Sequence, residues 1–145
     1  MLLTPKDCFA VFGDPNSKDF QSKFLMTWDI PADIQAAVGL PDKLYCHRSI
    51  VPYLEAAFRD MMKQGLKFKT FDGCWNIRKM RGLEDMSIHS WALAIDVDAA
   101  WNGLGKVPTI DKRIVICFTS NGFDWGGSWQ RKDGMHFQLK KELIV

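Results

Sequence analysis

Ser87-Ile88-His89-Ser90-Trp91-Ala92-Leu93-Ala94-Ile95-Asp96 is the stretch on which the fold turns. From Trp91 to Asp98 the side chains alternate, with Trp91, Leu93, Ile95 and Val97 pointing one way and Ala92, Ala94, Asp96 and Asp98 the other. That period of two predicts a strand with one large apolar face and one small, acidic face. His89 lies seven residues before Asp96, an odd spacing that cannot share one face of a regular strand. It therefore belongs to a loop or turn ahead of the strand, from which it can fold over the Ala92 and Ala94 surface toward Asp96.

A second stretch, Asp133-Gly134-Met135-His136-Phe137-Gln138-Leu139, closes the chain. Asp-Gly reads as a turn, and Met135 to Leu139 as a strand with Phe137 and Leu139 directed to the core and His136 and Gln138 to the opposite side. If this strand pairs beside the Asp96 strand, His89, Asp96 and His136 offer two imidazoles and a carboxylate to a tetrahedral metal ion, leaving a fourth position for water. Asp133, three residues before His136 and across the turn, is placed to reach that water as general base, since a zinc-bound water has a pKa lowered to about 7. The helical H-E-x-x-H arrangement is absent.

Outward from these strands, Pro5 to Phe12 reads as a helix ended by Gly13, and Pro31 to Val38 as another ended by Gly39. The clearest helix takes Ser49 as N-cap and runs to Gln64 before Gly65, with Ile50, Leu54, Ala57, Phe58, Met61 and Met62 on one stripe. Strands are expected at Leu66 to Phe71 and around Trp75 to Arg78. Asp111 to Asn121 fits a helix stopped by Gly122, with its β-branched content leaving a strand as the alternative. The expected architecture is α+β: a central antiparallel sheet bearing the site, flanked by helices.

The chain has 145 residues, 47% hydrophobic and 25% charged, the size and balance of one domain (1–145) that folds alone. No repeat or linker divides it. A formal charge of +2 with scattered Lys and Arg argues against nucleic acid. The start, Met1-Leu2-Leu3-Thr4-Pro5-Lys6-Asp7, lacks the features of a secretory signal, and no apolar run spans a membrane. Synthesis as a soluble cytoplasmic monomer is expected. Cys8, Cys46, Cys74 and Cys117 form no C-x-x-C pair and are expected to be free, buried thiols.

The order S-x-H-x-x-x-A-x-D, then W-G-G-x-W, then D-x-x-H-F resembles the zinc D-Ala-D-Ala carboxypeptidases and phage endolysin L-alanyl-D-glutamate peptidases, whose metal-site fold hedgehog-type domains share. The likeness covers Phe71 to Leu139, and the ordered combination is specific where each piece alone is not. It implies a zinc ion held by His89, Asp96 and His136, with Asp133 as catalytic base. The stretch Gly73 to Gly82 resembles the family segment carrying an arginine for the substrate carbonyl or oxyanion. Arg78 is the first choice and Arg81 the second, with an ordinary surface arginine as the alternative for each.

Ser87 is expected to fix the loop or contact substrate. Trp125 and Trp129, in Gly122 to Trp129, are expected either to wall a peptide or sugar cleft or to pack the loop onto the core. Many family members carry Gly where this chain has Ala92, and the added methyl is expected to crowd the metal side slightly. His47 matches no motif and is left as structural.

The resemblance implies a zinc metallopeptidase acting on the peptidoglycan stem peptide. A phage or prophage L-alanyl-D-glutamate endopeptidase stands ahead of a D-Ala-D-Ala carboxypeptidase. The alternative is a non-catalytic wall-binding or virion-structural domain that keeps the fold.

Overall fold

The structure is a computed structural model, which describes residues 1–144. Thr4 begins the first helix, α1 (Pro5–Phe12), through a capping box: its side chain accepts from the Asp7 N–H while the Asp7 carboxylate accepts from the Thr4 N–H. Pro5 sits in the first turn, where its missing N–H costs nothing, and Gly13 (φ 79°) ends the helix. A second helix, α2 (Lys18–Phe24), capped by Ser17, leads into β1 (Leu25–Asp29). After α3 (Ala32–Val38), which Gly39 stops in the left-handed conformation, β2 (Lys43–His47) pairs antiparallel with β1.

The long helix begins later than the sequence suggests. A 3₁₀ turn, Arg48–Ile50, comes first, and its capping group is His47, whose Nδ1 accepts the Ser49 N–H at 3.1 Å. Pro52 then opens α4 (Val51–Lys63), which buries Leu54, Ala57, Phe58 and Met61. Ser49 therefore lies inside the 3₁₀ turn and is not the N-cap. His47 is buried among Phe12, Phe20 and Phe24, and that burial, with the Arg48 charge, pushes its pKa down to about 4.

The strand expected at Leu66 to Phe71 is reduced to β3 (Phe71–Gly73). The backbone before it is taken up elsewhere: Phe68 N–H donates to the Val38 carbonyl, and Lys69 and Thr70 N–H both donate to Asp98 Oδ1. Trp75 to Arg78 also runs outside any strand, with Asn76 N–H on the His89 carbonyl and Arg78 N–H on Ser90 Oγ. In both segments acceptors from distant parts of the chain, outside any ladder, satisfy the donors that a ladder would have used.

Downstream lie β4 (Ala94–Val97), α5 (Lys112–Thr119), β5 (Phe123–Trp125) and β6 (His136–Leu139). Asp111 caps α5 and Ile114, Cys117 and Phe118 form its buried stripe, so the segment is helix and not strand. The strands order as β3-β4-β6-β5, antiparallel throughout. The architecture is thus α+β.

One face of this sheet meets α4 and α5. Phe118 stacks on Phe137 of β6 with ring centroids 4.5 Å apart, and meets Phe123 and Phe58 edge-on at 5.3 and 5.9 Å. The other face carries the polar residues of β4 and β6. All four cysteines are free and buried, and no helix among the described residues is long and apolar enough to cross a membrane.

Candidate metal centre and its cleft

The register of β4 against β6 sets Asp96 directly opposite His136 and Ala94 opposite Gln138. Side chains directly across an antiparallel pair share a face, so Asp96, His136 and Gln138 project together, away from the phenylalanine core. His89 arrives from a 3₁₀ turn, Ile88–Trp91, which the Ser87 side chain caps: Ser87 Oγ accepts the His89 N–H at 3.2 Å. The chain leaves that turn through Ala92 at φ 57°, ψ 34°, and enters β4.

Ala92 corrects one expectation. Trp91 and Ala92 belong to the turn, so the strand is shorter than the alternation from Trp91 implies. Alanine at this place also brings backbone strain of about 1 kcal/mol, because a left-handed conformation suits glycine and is unfavourable for a residue with a Cβ.

His89, Asp96 and His136 converge: each offers a ligand atom, and these atoms lie within 4.8 Å of one another. His89 Nε2 is 3.1 Å from Asp96 Oδ2 and 3.2 Å from His136 Nδ1, while His136 Nδ1 is 3.5 Å from Asp96 Oδ1. Whether a cation fits is decided by the far nitrogens. His89 Nδ1 is 2.7 Å from the Cys74 carbonyl, which can only accept, so the proton sits on Nδ1.

On His136 the Nε2 is 2.9 Å from Gln138 Oε1. That amide is oriented by its own Nε2, which donates to the Leu3 carbonyl at 3.0 Å, so Oε1 faces the ring and His136 carries its proton on Nε2. In the neutral rings both inward nitrogens then present bare lone pairs to each other and to a carboxylate. Asp96 Oδ1 is moreover buried without a hydrogen-bond partner. Three converging lone-pair donors, each imidazole braced from behind by an acceptor, form a donor set that fits a zinc ion with one position open.

The electrostatics agree. Burial would raise the Asp96 carboxyl, but the His136 and His89 imidazoles reverse the sign and hold it below the usual carboxylate range. Burial would lower His136, yet Asp96, Asp133 and Gln138 together raise it. The corner favours positive charge at its centre.

These groups open onto a cleft of about 540 Å³ lined by Asp96, His136, Asp133, Arg78, Arg81, Ser87 and Trp129. His89 lines a smaller adjoining hollow, which shares Asp96 and Arg78 with the cleft. Asp133 is half-buried, and burial raises its carboxyl, with Asp96 acting in the same direction and His136, His89 and Arg78 opposing. Its backbone is clamped from both sides: its N–H donates to the Gly126 carbonyl at 2.9 Å, and its carbonyl accepts the His136 N–H at 3.1 Å.

Gly126 is obligatory in this clamp, because a Cβ there would lie 2.5 Å from the Asp133 carbonyl oxygen. Gly126→Ala is expected to shift Asp133 and to destabilise the fold by about 1–3 kcal/mol through overpacking. A misplacement near 1 Å lowers turnover on the order of 100-fold. Thermal melts with kcat measured on the same preparation check this, and full activity in the variant would contradict it.

Arg78 is exposed at the cleft edge, and its Nη1 reaches the Lys79 carbonyl at 3.4 Å. Arg81 is exposed too, and its carbonyl accepts from the Arg131 guanidinium across the cleft mouth. Trp129 packs 5.4 Å from the His136 ring. Trp125, by contrast, is no cleft wall: its Nε1 donates to the Gly134 carbonyl at 2.9 Å, and its ring lies over Gly127 and 6.4 Å from Phe137. It packs the loop.

Several cleft residues escape sequence reasoning. Leu2, Leu3, Met80, Leu83, Leu104, Arg131 and Met135 all line it, and the brace on His89 comes from a main-chain carbonyl. Only Gln138 carried a signal, two residues from His136 on the same strand face.

Two braced imidazoles and a carboxylate, with a further carboxyl on the same cleft, form a donor set able to hold a metal ion in an α+β protein. Residues 81–139 match the family model described as D-alanyl-D-alanine carboxypeptidase, a likeness over less than half of the chain that supports a metallopeptidase. The matched segment holds His89, Asp96, Asp133 and His136, and begins after Arg78. No curated protein and no solved structure matches the chain.

Proposed function

We propose that this protein is a zinc metallopeptidase that hydrolyses a peptide bond in the stem peptide of bacterial peptidoglycan, acting as a phage or prophage lysis enzyme. His89, Asp96 and His136 hold the ion and Asp133 is the general base. The observation that carries the proposal is the convergence of three lone-pair donors within 4.8 Å, with the outer nitrogens of both imidazoles already engaged.

A zinc ion held there supplies Lewis acidity toward a carbonyl and a water of lowered pKa. Asp133, facing the same cleft, takes the proton of the attacking water and returns it to the leaving amine. Its carboxylate has no hydrogen-bond partner among the described residues and is free for that exchange. Arg78, on the cleft edge, offers a guanidinium fork to the carbonyl oxygen as negative charge develops on it. Ser87 fixes the turn that carries His89, and Trp129 provides an apolar surface for the peptide.

Between the two family specificities, the L-alanyl-D-glutamate bond is placed ahead of the D-Ala-D-Ala bond. The protein is proposed to work as a monomer, reaching the wall after release from the host cytoplasm.

The test is digestion of purified peptidoglycan followed by fragment mass analysis, using native, chelator-stripped and zinc-restored protein. New amino termini that vanish on stripping and return with zinc are expected, and the masses identify the bond. If zinc-loaded protein binds the wall yet releases no fragment, a non-catalytic binding domain takes the place of the peptidase.

A further inference from the structure

We propose that Gln138 is a positioning residue for the metal ligand His136, and that the Leu3 carbonyl completes it, so that the N-terminal segment forms part of the metal centre. The inference rests on the zinc reading above and concerns what holds the ligand in place. Gln138 follows His136 by two residues on β6 and shares its face. It is buried to 3% exposure and uses its amide in both directions: Oε1 accepts from His136 Nε2 at 2.9 Å, and Nε2 donates to the Leu3 carbonyl at 3.0 Å.

The direction of this chain is forced. Leu3 offers a carbonyl, which can only accept, so the amide nitrogen must face it and the amide oxygen must face the imidazole. His136 is thereby held with its proton on Nε2 and Nδ1 turned to the metal. Reversing the amide would break both bonds and leave buried donors and acceptors unsatisfied. Packing alone would not require an amide here, since Leu or Met would fill similar space without needing partners.

The acceptor end of this relay is anchored as well. The Gly13 carbonyl, at the far end of α1, accepts from Trp91 Nε1 at 3.0 Å, and Phe9 of α1 meets the Trp91 ring edge-on at 4.9 Å. The segment from Leu3 to Gly13 is therefore docked on both elements that carry histidine ligands: β6 through Gln138, and the 3₁₀ turn of His89 through Trp91. The brace on His89 is a main-chain carbonyl that no substitution removes, whereas the brace on His136 is a side chain and can be tested.

The test measures zinc affinity by competition with a chromophoric chelator for the native protein, Gln138→Leu and Gln138→Glu, alongside melts of the metal-free forms and absorption spectra of the cobalt-loaded forms. Gln138→Leu is expected to bind zinc about 10–100-fold more weakly with an altered cobalt spectrum. Gln138→Glu, which keeps an acceptor oxygen for His136 Nε2–H but loses the donor to the Leu3 carbonyl, is expected to hold zinc more tightly than Gln138→Leu and less tightly than native, and to melt below native in the metal-free form. Equal losses of zinc affinity in both variants, or none in Gln138→Leu, would overturn the relay while leaving the metal reading intact.

If native protein takes up no zinc at all, the metal reading falls and the relay falls with it. Should Gln138→Leu fail to fold, nitrogen-15 spectra of zinc-loaded native protein decide the matter. The relay requires a proton on His136 Nε2 and the metal on Nδ1, and coordination through Nε2 would refute it.

Discussion

Asp133→Ala is expected to lower kcat by about 10²–10⁴-fold, the range spanned by positioned proton-transfer groups, while the protein keeps its full zinc content. The two readouts separate base from ligand: Asp133 lines the cleft beside Asp96 and His136 but stands outside the group of converging donors. Loss of zinc in the variant would move Asp133 into the coordination sphere, and retained turnover would remove it from the chemistry.

Stability should move the other way. A carboxyl whose pKa is raised by folding favours the native state when protonated, and that contribution is lost as pH rises through the raised value. At neutral pH the charged Asp133 is therefore a burden on the metal-free fold, so Asp133→Asn should melt no lower than native while losing activity. For turnover the sign reverses, since the base must be ionised: kcat/KM should fall as pH drops through the Asp133 pKa, and this limb should be absent from the Asp133→Ala residual activity.

Phe118→Ala is the second large effect, about 3–5 kcal/mol of destabilisation, which for a domain of this size lowers Tm by on the order of 10 °C. Phe118 is fully buried and contacts aromatic rings from α4, β5 and β6. Its stacking partner Phe137 lies between His136 and Gln138 on β6, so the cavity opens directly behind the strand that presents the metal ligand. Denaturant titration gives the stability change, and zinc affinity should weaken in the same variant. A loss below about 1 kcal/mol would mean that the core refills the space.

How much of this was legible in the chain depended on the range of the interactions involved. α1 is written in Thr4, Pro5, Asp7 and Gly13, and α5 in the Asp111 cap and the Ile114, Cys117, Phe118 stripe, all within a turn or two of each other. The β1–β2 pair went unread, although Leu44 and Cys46 alternate with exposed neighbours, because β1 shows no matching alternation. Leu66 to Thr70 reads as a strand from its residue types, but its donors go to Val38 and to Asp98, far away in the chain.

The candidate site divides along the same line. Residue types, alternation and the Asp-Gly turn, read with the family resemblance, single out His89, Asp96, Asp133 and His136, and of these the strand periodicity orients Asp96 and His136. Only the tertiary structure decided that Trp125 packs while Trp129 faces the cleft, that Ala92 is strained, and that Cys74 and Leu3 carbonyls govern the histidine tautomers. A main-chain carbonyl carries no residue identity, and the partner it meets is set by how distant segments pack. A local pattern can announce a ligand, but what braces that ligand comes into being when the chain closes on itself.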